Sequence, residues 1–475
     1  MAPDLPADPW SGEPAAAPNM LFFFPDQHRP DWIGVNPDVP VDTPNLDWLI
    51  GQGVRFPNAV TPAPVCAPAR GCLVTGTSYD HNPVKDNADT LPPDAVTYVQ
   101  RLREEAGYHT MGCGKFDLHK GAYSWGVDGT HRLEEWGFSD GIDNAGKLDG
   151  VLSLKWDDHP RRLDESNLLE RAIEATLAGD GEPAEPYTAY LEREGLLETY
   201  VRGYAAHDRA WTWSMPEEAY IDNWIARRGL ELLDRTPHEQ PWHCMVNFAG
   251  PHSPFDVTGP MHDWYNDPPV TFPDPIGVTA NETDQHIRRH YAAMIRNIDR
   301  WLGRYLAELR DRGTLANTIV VFASDHGELL GDHGHWGKGL PYQASVGVPL
   351  VMAGPGIDAQ PAIEDPVTLL DLHDTFLEAA GLEGEMTDST SLWPVVSGCT
   401  TTHREVVTAG LNEWRLAFDG RYKLIDNWVP AGVDEAAPRR TLFDLETDPQ
   451  ETCNLRSRRP DVVDRLASSL PEPSD

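Results

Sequence analysis

The sequence predicts an α/β protein in which a large mixed, mostly parallel sheet lies between layers of helices. Short apolar runs that are typical of buried strands alternate with amphipathic helical patterns along most of the chain. The length of 475 residues, of which 40% are hydrophobic, suits one large domain and a smaller unit. We expect a flexible tail over 1–18, a main domain over 19–399, and a C-terminal α+β unit over 400–475 with an antiparallel sheet.

The elements of the main domain are predicted in chain order. A strand covers 20–26, and a helix follows over 43–53, with Thr43 as its N-cap and Pro44 in its first turn. Further on, we expect helices over 94–107, 216–235 and 285–313, and strands over 108–115, 241–250, 318–325 and 348–354. Residues 120–215 show no such pattern and are interpreted as irregular insertions over the site, which commonly determine substrate choice.

The C-terminal unit has a different pattern. Short alternating segments follow residue 400, and "FDGRYK" (418–423) is typical of a hairpin turn. The segment "RPDVVDRLASSL" (459–470) predicts a closing helix.

Charge and composition exclude several classes of partner. The 75 acidic and 38 basic residues give a net charge of -37, and no basic run offers a site for nucleic acid. The six cysteines lack metal or disulfide spacing, which favours a reducing compartment. The first twenty residues lack a signal-peptide pattern, and no apolar run reaches the length of a membrane span. We therefore expect a cytoplasmic protein without nucleic-acid or membrane partners.

Chemically active residues follow the predicted strands. Asp26, Lys115, His252 and Asp325 all fall at or just after a strand end. Because ligands of such sheets bind beyond the carboxyl ends of the strands, these residues predict an active site at that edge.

Two adjacent pairs have the side chains of a metal site. Asp325 and His326 follow a buried strand and precede a Gly-rich loop, so that both can reach one ion. Asp26 and Gln27 have the same arrangement with two oxygen donors.

The candidate nucleophile is Cys66 in "PVCAPARGCLVTG" (64–76). A thiolate at the start of a helix can attack directly, but that chemistry gives no reason for Pro68 and Arg70 at fixed offsets. The pentapeptide Cys-x-Pro-x-Arg resembles the recognition sequence for conversion of cysteine to Cα-formylglycine in type I sulfatases.

The resemblance to this family extends over nearly the whole chain. The blocks that carry it, in order, are "LFFFPDQHRPD" (21–31), the segment 43–76, "GPHSPF" (250–255), "SDHGELLGDHGHWGKGLPYQASVGVPLVMAGPG" (324–356) and "LFDLETDPQETCNL" (442–455). The resemblance implies the fold of the alkaline-phosphatase-like superfamily.

The resemblance also implies a role for each matching residue. The metal ligands would be Asp26, Gln27, Asp325 and His326, with an oxygen of modified Cys66. Arg70 would hold the formylglycine hydrate, and Lys115 and Lys338 would neutralise the sulfate oxygens. His252 would be the general acid, and Asn87 in "VKDNADTL" would contact the transferred group.

The chain departs from the family pattern at several positions, among them Gly347, where the family pattern has an Arg before "VPL". Where many sulfatases have Lys-x-His, this sequence has Lys115-Phe116-Asp117, with His119 two residues further on. Either Asp117 or His119 could serve the formylglycine hydroxyl, and we prefer His119 because a carboxylate would oppose an anionic substrate. Gln27 and His326 make the metal site less anionic, so Ca²⁺ is the first choice and Mn²⁺ is the alternative.

The implied function is hydrolysis of sulfate monoesters through a formylglycine hydrate and a covalent sulfo-enzyme intermediate. The implied partners are a formylglycine-generating maturation enzyme and a small-molecule or carbohydrate sulfate ester. Two alternatives are a phosphonate monoester or phosphodiester hydrolase of the same superfamily, and a catalytically dead relative that acts as a binding protein.

Overall fold

The computed structural model describes residues 9–10, 17–120, 125–156, 167–206, 209–237, 239–384, 387–430 and 439–471. Most of the predicted tail over 1–18 falls outside these ranges. Within it, Trp10 is buried, and its indole N–H donates to the carbonyl oxygens of Leu315 at 2.8 Å and Thr318 at 3.1 Å. This part of the tail is therefore fixed against the main domain.

A seven-stranded mixed sheet forms the centre of the molecule. The strands of the described residues are β1 (Asn19–Asp26), β2 (Val54–Arg55), β3 (Ala59–Val60), β4 (His109–Gly114), β5 (Asp140–Asp143), β6 (Ala210–Trp213), β7 (Trp242–Pro251), β8 (Phe255–Thr258), β9 (Thr318–Ala323), β10 (Leu350–Ala353), β11 (Val367–Thr368), β12 (Val407–Leu411), β13 (Trp414–Phe418), β14 (Tyr422–Asp426) and β15 (Arg440–Asp444). The order in the main sheet is β2-β10-β9-β1-β7-β4-β5. Strands β9, β1, β7, β4 and β5 are parallel, and β10 runs antiparallel to both of its neighbours. The predicted mixed, mostly parallel sheet is confirmed.

Helices cover both faces of this sheet. They are α1 (Pro44–Gln52), α2 (Cys66–Thr75), α3 (Tyr98–Glu104), α4 (Lys147–Leu152), α5 (Leu168–Ala178), α6 (Pro186–Arg193), α7 (Leu197–Ala206), α8 (Ile221–Asp234), α9 (Gly259–Asn266), α10 (Glu282–Asp311), α11 (Gln343–Val346), α12 (Asp371–Ala379), α13 (Trp393–Val396) and α14 (Pro460–Ala467). Because side chains alternate along a strand, Leu21 and Phe23 of β1 enter a core with α1, α8 and α10. Phe22 and Phe24 enter the opposite core with α2, α3 and α12.

The start of α1 is stabilised differently from the prediction. The Thr43 side chain makes no capping hydrogen bond. Asp299, in the middle of α10, instead accepts hydrogen bonds from the backbone N–H groups of Asn45 at 3.0 Å and Leu46 at 2.8 Å. A tertiary contact thus satisfies N–H groups that have no partner within the helix.

The expectation that residues 120–215 are irregular is wrong. The described part of this segment contains α4 to α7, and β5 extends the main sheet beside β4. These helices pack through aromatic side chains, such as Tyr200 stacked on Trp213 with ring centroids 5.3 Å apart. Their short apolar stripes are interrupted by glycines and acids, so no helical period stood out in the sequence.

The C-terminal unit is an antiparallel sheet in the order β12-β13-β14-β15, with α14 against one face. This confirms the predicted antiparallel C-terminal sheet, including the hairpin at 418–423. Within the described ranges, no helix combines the length and the apolarity that are needed to cross a membrane.

Candidate active site

Parallel strands bring polar side chains to one edge of the main sheet. Asp26 ends β1 and Gln27 follows it, Lys115 follows β4, and Asp325 and His326 come just after β9. All five residues are buried. The backbone N–H of Gln27 donates to Oδ1 of Asp325 at 2.9 Å, which joins the ends of β1 and β9. The predicted convergence of strand ends is therefore present in the structure.

Cys66 lies at the start of α2 and faces this edge. Its side chain is fully buried. The Sγ atom is 2.8 Å from Nζ of Lys338, 3.3 Å from Nε2 of His326, 3.5 Å from Nζ of Lys115 and 3.7 Å from Oδ1 of Asp26. Three basic groups and one carboxylate thus surround the sulfur.

This surrounding charge favours an anion at position 66. Burial and Asp26 raise the pKa of the Cys66 thiol, but Lys115, Lys338 and His326 outweigh them and hold it well below its ordinary value. Cys72, on the same helix, shows the opposite behaviour, because burial raises its pKa and the nearby Lys85 does not compensate. The surroundings of position 66 thus favour an ionised group, whereas those of position 72 favour a neutral thiol.

Four buried side chains form a cluster that fits a divalent metal. One donor atom each from Asp26, Cys66, Asp325 and His326 lies within 4.8 Å of the other three. Gln27 adds an amide oxygen beside them, which Nζ of Lys338 contacts at 2.9 Å. Two carboxylates, an amide oxygen and an imidazole nitrogen are ligands that Ca²⁺ or Mn²⁺ can accept.

The two carboxylates of the cluster differ in electrostatics. Burial opposes ionisation of Asp26, but Lys115, His252 and other cations hold its pKa well below the usual range. Burial, followed by repulsion from Asp26, raises the pKa of Asp325. A divalent cation between the two carboxylates would relieve this repulsion.

Arg70 is bound to the carboxylates rather than directly to Cys66. Its Nε donates to Oδ2 of Asp325 at 3.0 Å, and Nη2 donates to Oδ2 of Asp26 at 3.2 Å. Nη1 donates to the backbone carbonyl of Lys115. Arg70 is buried, so these contacts fix the positions of both acids.

Lys115 begins a row of alternating buried charges. Its Nζ lies 2.5 Å from Oδ2 of Asp26 and 3.1 Å from Oδ2 of Asp117. Lys120 lies 3.5 Å from the same oxygen of Asp117 and 2.8 Å from Oδ2 of Asp149. Although burial opposes the charge on Lys115, Asp117 and Asp26 hold its pKa well above the ordinary value.

His119 lies in a different environment. Its Nε2 is 3.2 Å from Oδ2 of Asp143 without the alignment of a hydrogen bond, and its ring packs against Trp125 and Trp136. Burial lowers the pKa of His119 to about 4, and burial raises the pKa of Asp143 well above its usual value. The structure therefore gives no contact that supports our preference for His119 over Asp117.

His252 and Asn87 complete the predicted set. His252 follows β7, is half-buried, and its Nδ1 lies 2.5 Å from the carbonyl oxygen of Ser253. Oδ1 of Asn87 accepts a hydrogen bond from the backbone N–H of Ala67 at 3.0 Å. Asn87 thus lies at the N-terminus of α2, next to Cys66.

Sequence reasoning missed Glu328. Its Oε1 accepts hydrogen bonds from the N–H groups of Leu330 at 3.0 Å and Gly337 at 2.6 Å, and Oε2 accepts one from the amide of Gln27. Glu328 therefore fixes both a metal-ligand candidate and the loop that carries Lys338. Its position in the sequence, two residues after the metal-ligand candidate His326, could have indicated a role near the site.

Comparisons with known proteins agree with this fold. The family model described as Sulfatase matches residues 18–382. An arylsulfatase from Clostridium perfringens (strain 13 / Type A) is 25% identical over 472 residues, which cover 92% of this chain and 90% of that protein. A choline-sulfatase from Rhizobium meliloti (strain 1021) is 28% identical over 482 residues, which cover 94% and 84%.

Solved structures show the same architecture. A protein in complex with its substrate D-glucosamine-2-N,6-O-disulfate matches with a TM-score of 0.72 at 19% identity, covering 96% of this chain and 97% of that chain. A phosphonate monoester hydrolase of Agrobacterium radiobacter matches with a TM-score of 0.70 at 21% identity, covering 95% and 94%. At these identities the likeness shows the shared fold.

Fold and site together define a hydrolase of the alkaline-phosphatase-like superfamily. Within that superfamily the chain belongs to the sulfatase family, and it is a sulfuric ester hydrolase.

Proposed function

We propose that the chain hydrolyses sulfate monoesters with a formylglycine hydrate made from Cys66, a divalent metal, and a covalent sulfate ester on that residue in each turnover. The observation that carries this proposal is the position of Cys66. Its buried sulfur lies beside three basic groups and within the cluster of metal-ligand candidates. Pro68 and Arg70 follow it at the offsets that a maturation enzyme reads.

Maturation replaces the C–S bond of Cys66 with a C=O bond, whose oxygen comes from water, and releases the sulfur as sulfide. This is a two-electron oxidation, which a separate formylglycine-generating enzyme carries out with an external electron acceptor. One hydroxyl of the hydrated aldehyde attacks sulfur while the S–O bond to the alcohol breaks. Sulfate then leaves by cleavage of its C–O bond to residue 66, as the second hydroxyl loses its proton and the C=O bond of the aldehyde re-forms.

A divalent metal, held by Asp26, Gln27, Asp325 and His326, would supply Lewis-acid stabilisation of negative charge next to position 66. Ca²⁺ is the first choice because three of these ligands offer oxygen, and His326 keeps Mn²⁺ open as the alternative.

Cations of the chain stabilise the charge of the transferring sulfate group. Lys115 and Lys338 both contact Sγ of Cys66, and their contacts with Asp26 and Gln27 hold them in place before substrate arrives. Such preorganised cations act most strongly in a site from which water is excluded.

Proton transfers require one acid and one base. His252 is half-buried at the wall of a cavity beside the site, where its imidazole can donate a proton to the departing alcohol. Asp117 contacts Lys115, which contacts Cys66, so we assign the base to Asp117 rather than to His119.

Asn87 connects the nucleophile to the substrate. Its oxygen holds the first turn of α2, and its amide N–H₂ has no partner among the described residues. We assign that amide group to an oxygen of the transferred sulfate. The substrate class is then a small-molecule or carbohydrate sulfate ester.

Replacement of Cys66 by Ser tests the proposal. Cys66→Ser offers one hydroxyl and cannot regenerate an aldehyde, so it is expected to stall after sulfate transfer, with sulfate retained on the peptide that contains residue 66. Mass spectrometry after incubation with an aryl sulfate measures this. Cys72→Ala, on the same helix, is the control and should turn over normally. Full multiple turnover by Cys66→Ser would exclude the mechanism.

A further inference from the structure

A cavity of about 480 Å³ adjoins the active site. Its lining includes His252 and Gly337. Gly337 directly precedes Lys338, whose Nζ lies 2.8 Å from Sγ of Cys66. A sulfate ester bound with its sulfur at Cys66 therefore has its alcohol half directed to this cavity.

Flat side chains form much of the cavity wall. Tyr204, Trp211, Phe255 and Trp336 contribute rings, and Leu148 adds an aliphatic side chain. Tyr204 and Trp211 meet edge to face with ring centroids 5.3 Å apart. Walls of this kind accept the flat face of an arene or the apolar face of a sugar ring.

Arg209 is a cation in the described lining of this cavity. Its guanidinium carbon lies 5.5 Å from the centroid of the Trp336 ring, and the residue is exposed. Among the described residues, Arg209 has no ion-pair or side-chain hydrogen-bond partner. The described lining therefore offers an exposed guanidinium that makes no contact with a carboxylate, in a chain with a net charge of -37.

One acidic residue contributes to the described lining, and it makes no ion pair with Arg209. Glu328 lines the cavity, but its oxygens accept hydrogen bonds from Leu330, Gly337 and Gln27. Among the described residues, the Arg209 guanidinium contacts the Trp336 ring and no carboxylate.

We propose that this cavity selects a sulfate ester whose alcohol half is a ring bearing a second anionic group, a carboxylate or a second sulfate, which Arg209 binds. This inference rests on the proposed function of the adjoining site. A quaternary ammonium group would otherwise suit the aromatic walls. Here the guanidinium of Arg209 already covers the Trp336 ring and repels another cation.

The test compares kcat/KM within two matched pairs of esters. One pair is phenyl sulfate and a phenyl sulfate that carries a ring carboxylate; the other is a hexose sulfate and the uronic acid sulfated at the same position. The wild type should prefer the anionic member of at least one pair, which also identifies the type of ring. Arg209→Gln should lower that preference about tenfold, and Arg209→Glu should reverse it.

Arg193→Gln is the control, since Arg193 is an exposed arginine of α6 that pairs with Glu194 at 3.2 Å. It should leave the preference unchanged. A wild type without an anionic preference in either pair, one that favours choline sulfate over all four esters, or an unchanged preference in Arg209→Gln would overturn the inference.

Binding separates this inference from the proposed function. Cys66→Ala, which has no nucleophilic group at residue 66, should bind the preferred anionic ester more tightly than its neutral partner in calorimetry, and adding Arg209→Gln should remove the difference. Equal binding overturns the inference even if all four esters are hydrolysed. Conversely, if protein with an aldehyde at residue 66 hydrolyses no sulfate ester, the proposed function fails, and the binding preference still decides the role of Arg209.

Discussion

At the residue scale, the chemistry depends on how Cys66 is surrounded. Lys338, His326 and Lys115 lie within 3.5 Å of its sulfur, whereas Asp26 is at 3.7 Å. This balance lowers the pKa of the thiol although the group is fully buried. The same balance would stabilise an oxygen anion that replaced the sulfur, so the site suits the hydrated aldehyde as well as the unmodified residue.

Asp117 and His119 can be separated by substitution. Asp117→Asn removes the carboxylate that contacts Lys115 and Lys120, and we expect kcat to fall about 10²-fold or more, as for loss of a general base. His119→Gln should have a smaller effect, because its ring contacts Asp143 and two tryptophans. Steady-state kinetics on one aryl sulfate measures both.

A larger fall in kcat for His119→Gln than for Asp117→Asn would instead support His119, which the sequence analysis preferred. That preference followed spacing and charge in "GKFDLH", and spacing does not show the path of the backbone. Asp117 has a φ of 55°, which turns the chain two residues after Lys115. A turn of this kind in a non-glycine residue has no clear signature in one sequence.

At the element scale, a buried ion pair within the C-terminal unit contacts the main domain. Nζ of Lys423 in β14 lies 2.5 Å from Oε1 of Glu451, and Oε2 of Glu451 accepts a hydrogen bond from the N–H of Gln343 at the start of α11 at 2.6 Å. Lys423 and Glu451 are both buried. Their contact with α11 couples the C-terminal unit to the segment that follows Lys338.

Loss of this pair should destabilise the protein strongly. Glu451→Ala leaves the ammonium of Lys423 buried without its carboxylate, which costs about 3–5 kcal/mol in comparable cases. The expected result is a clear fall in the free energy of unfolding, measured by urea denaturation. Asp426→Ala is the control, because Asp426 pairs with Arg440 on the same sheet but is partly exposed, and it should cost about 1 kcal/mol or less. Equal losses of unfolding free energy in the two variants would show that the buried pair contributes no more to stability than the exposed pair.

The helices and strands were predictable where the apolar residues follow one regular pattern. β1 and β9 are continuous apolar runs, and α10 has a sustained apolar stripe with Asn281 and Asp284 as a capping box. The tertiary cap of α1 by Asp299 could not be read from local sequence, because its partners lie 253 and 254 positions away. Residues 120–215 were misjudged because their helices are stabilised by aromatic contacts between segments.

At the scale of the whole molecule, an acidic protein carries a site for an anionic substrate. The net charge of -37 opposes approach of a sulfate ester, and the cations near Cys66 act locally against it. A bound divalent cation would add to this local charge. Metal binding should therefore contribute both to activity and to stability.

Removal of metal tests this expectation. Treatment with a chelator should abolish sulfatase activity and lower Tm, because a ligand that binds only the folded state stabilises it. Ca²⁺ should restore both, and Mn²⁺ is the alternative. Asp325→Ala should show no metal-dependent change in Tm, since it removes a carboxylate from the cluster. Full activity in protein shown by elemental analysis to be free of metal would contradict the assignment.

The measurement that tests the central claim most directly is mass spectrometry of the proteolytic peptide that contains residue 66, taken from active protein made together with a formylglycine-generating enzyme. The account predicts an aldehyde at residue 66, in a fraction that rises in proportion to kcat across preparations. An intact Cys66 thiol in fully active protein would contradict it, and the lowered pKa of that thiol would then make Cys66 itself the nucleophile.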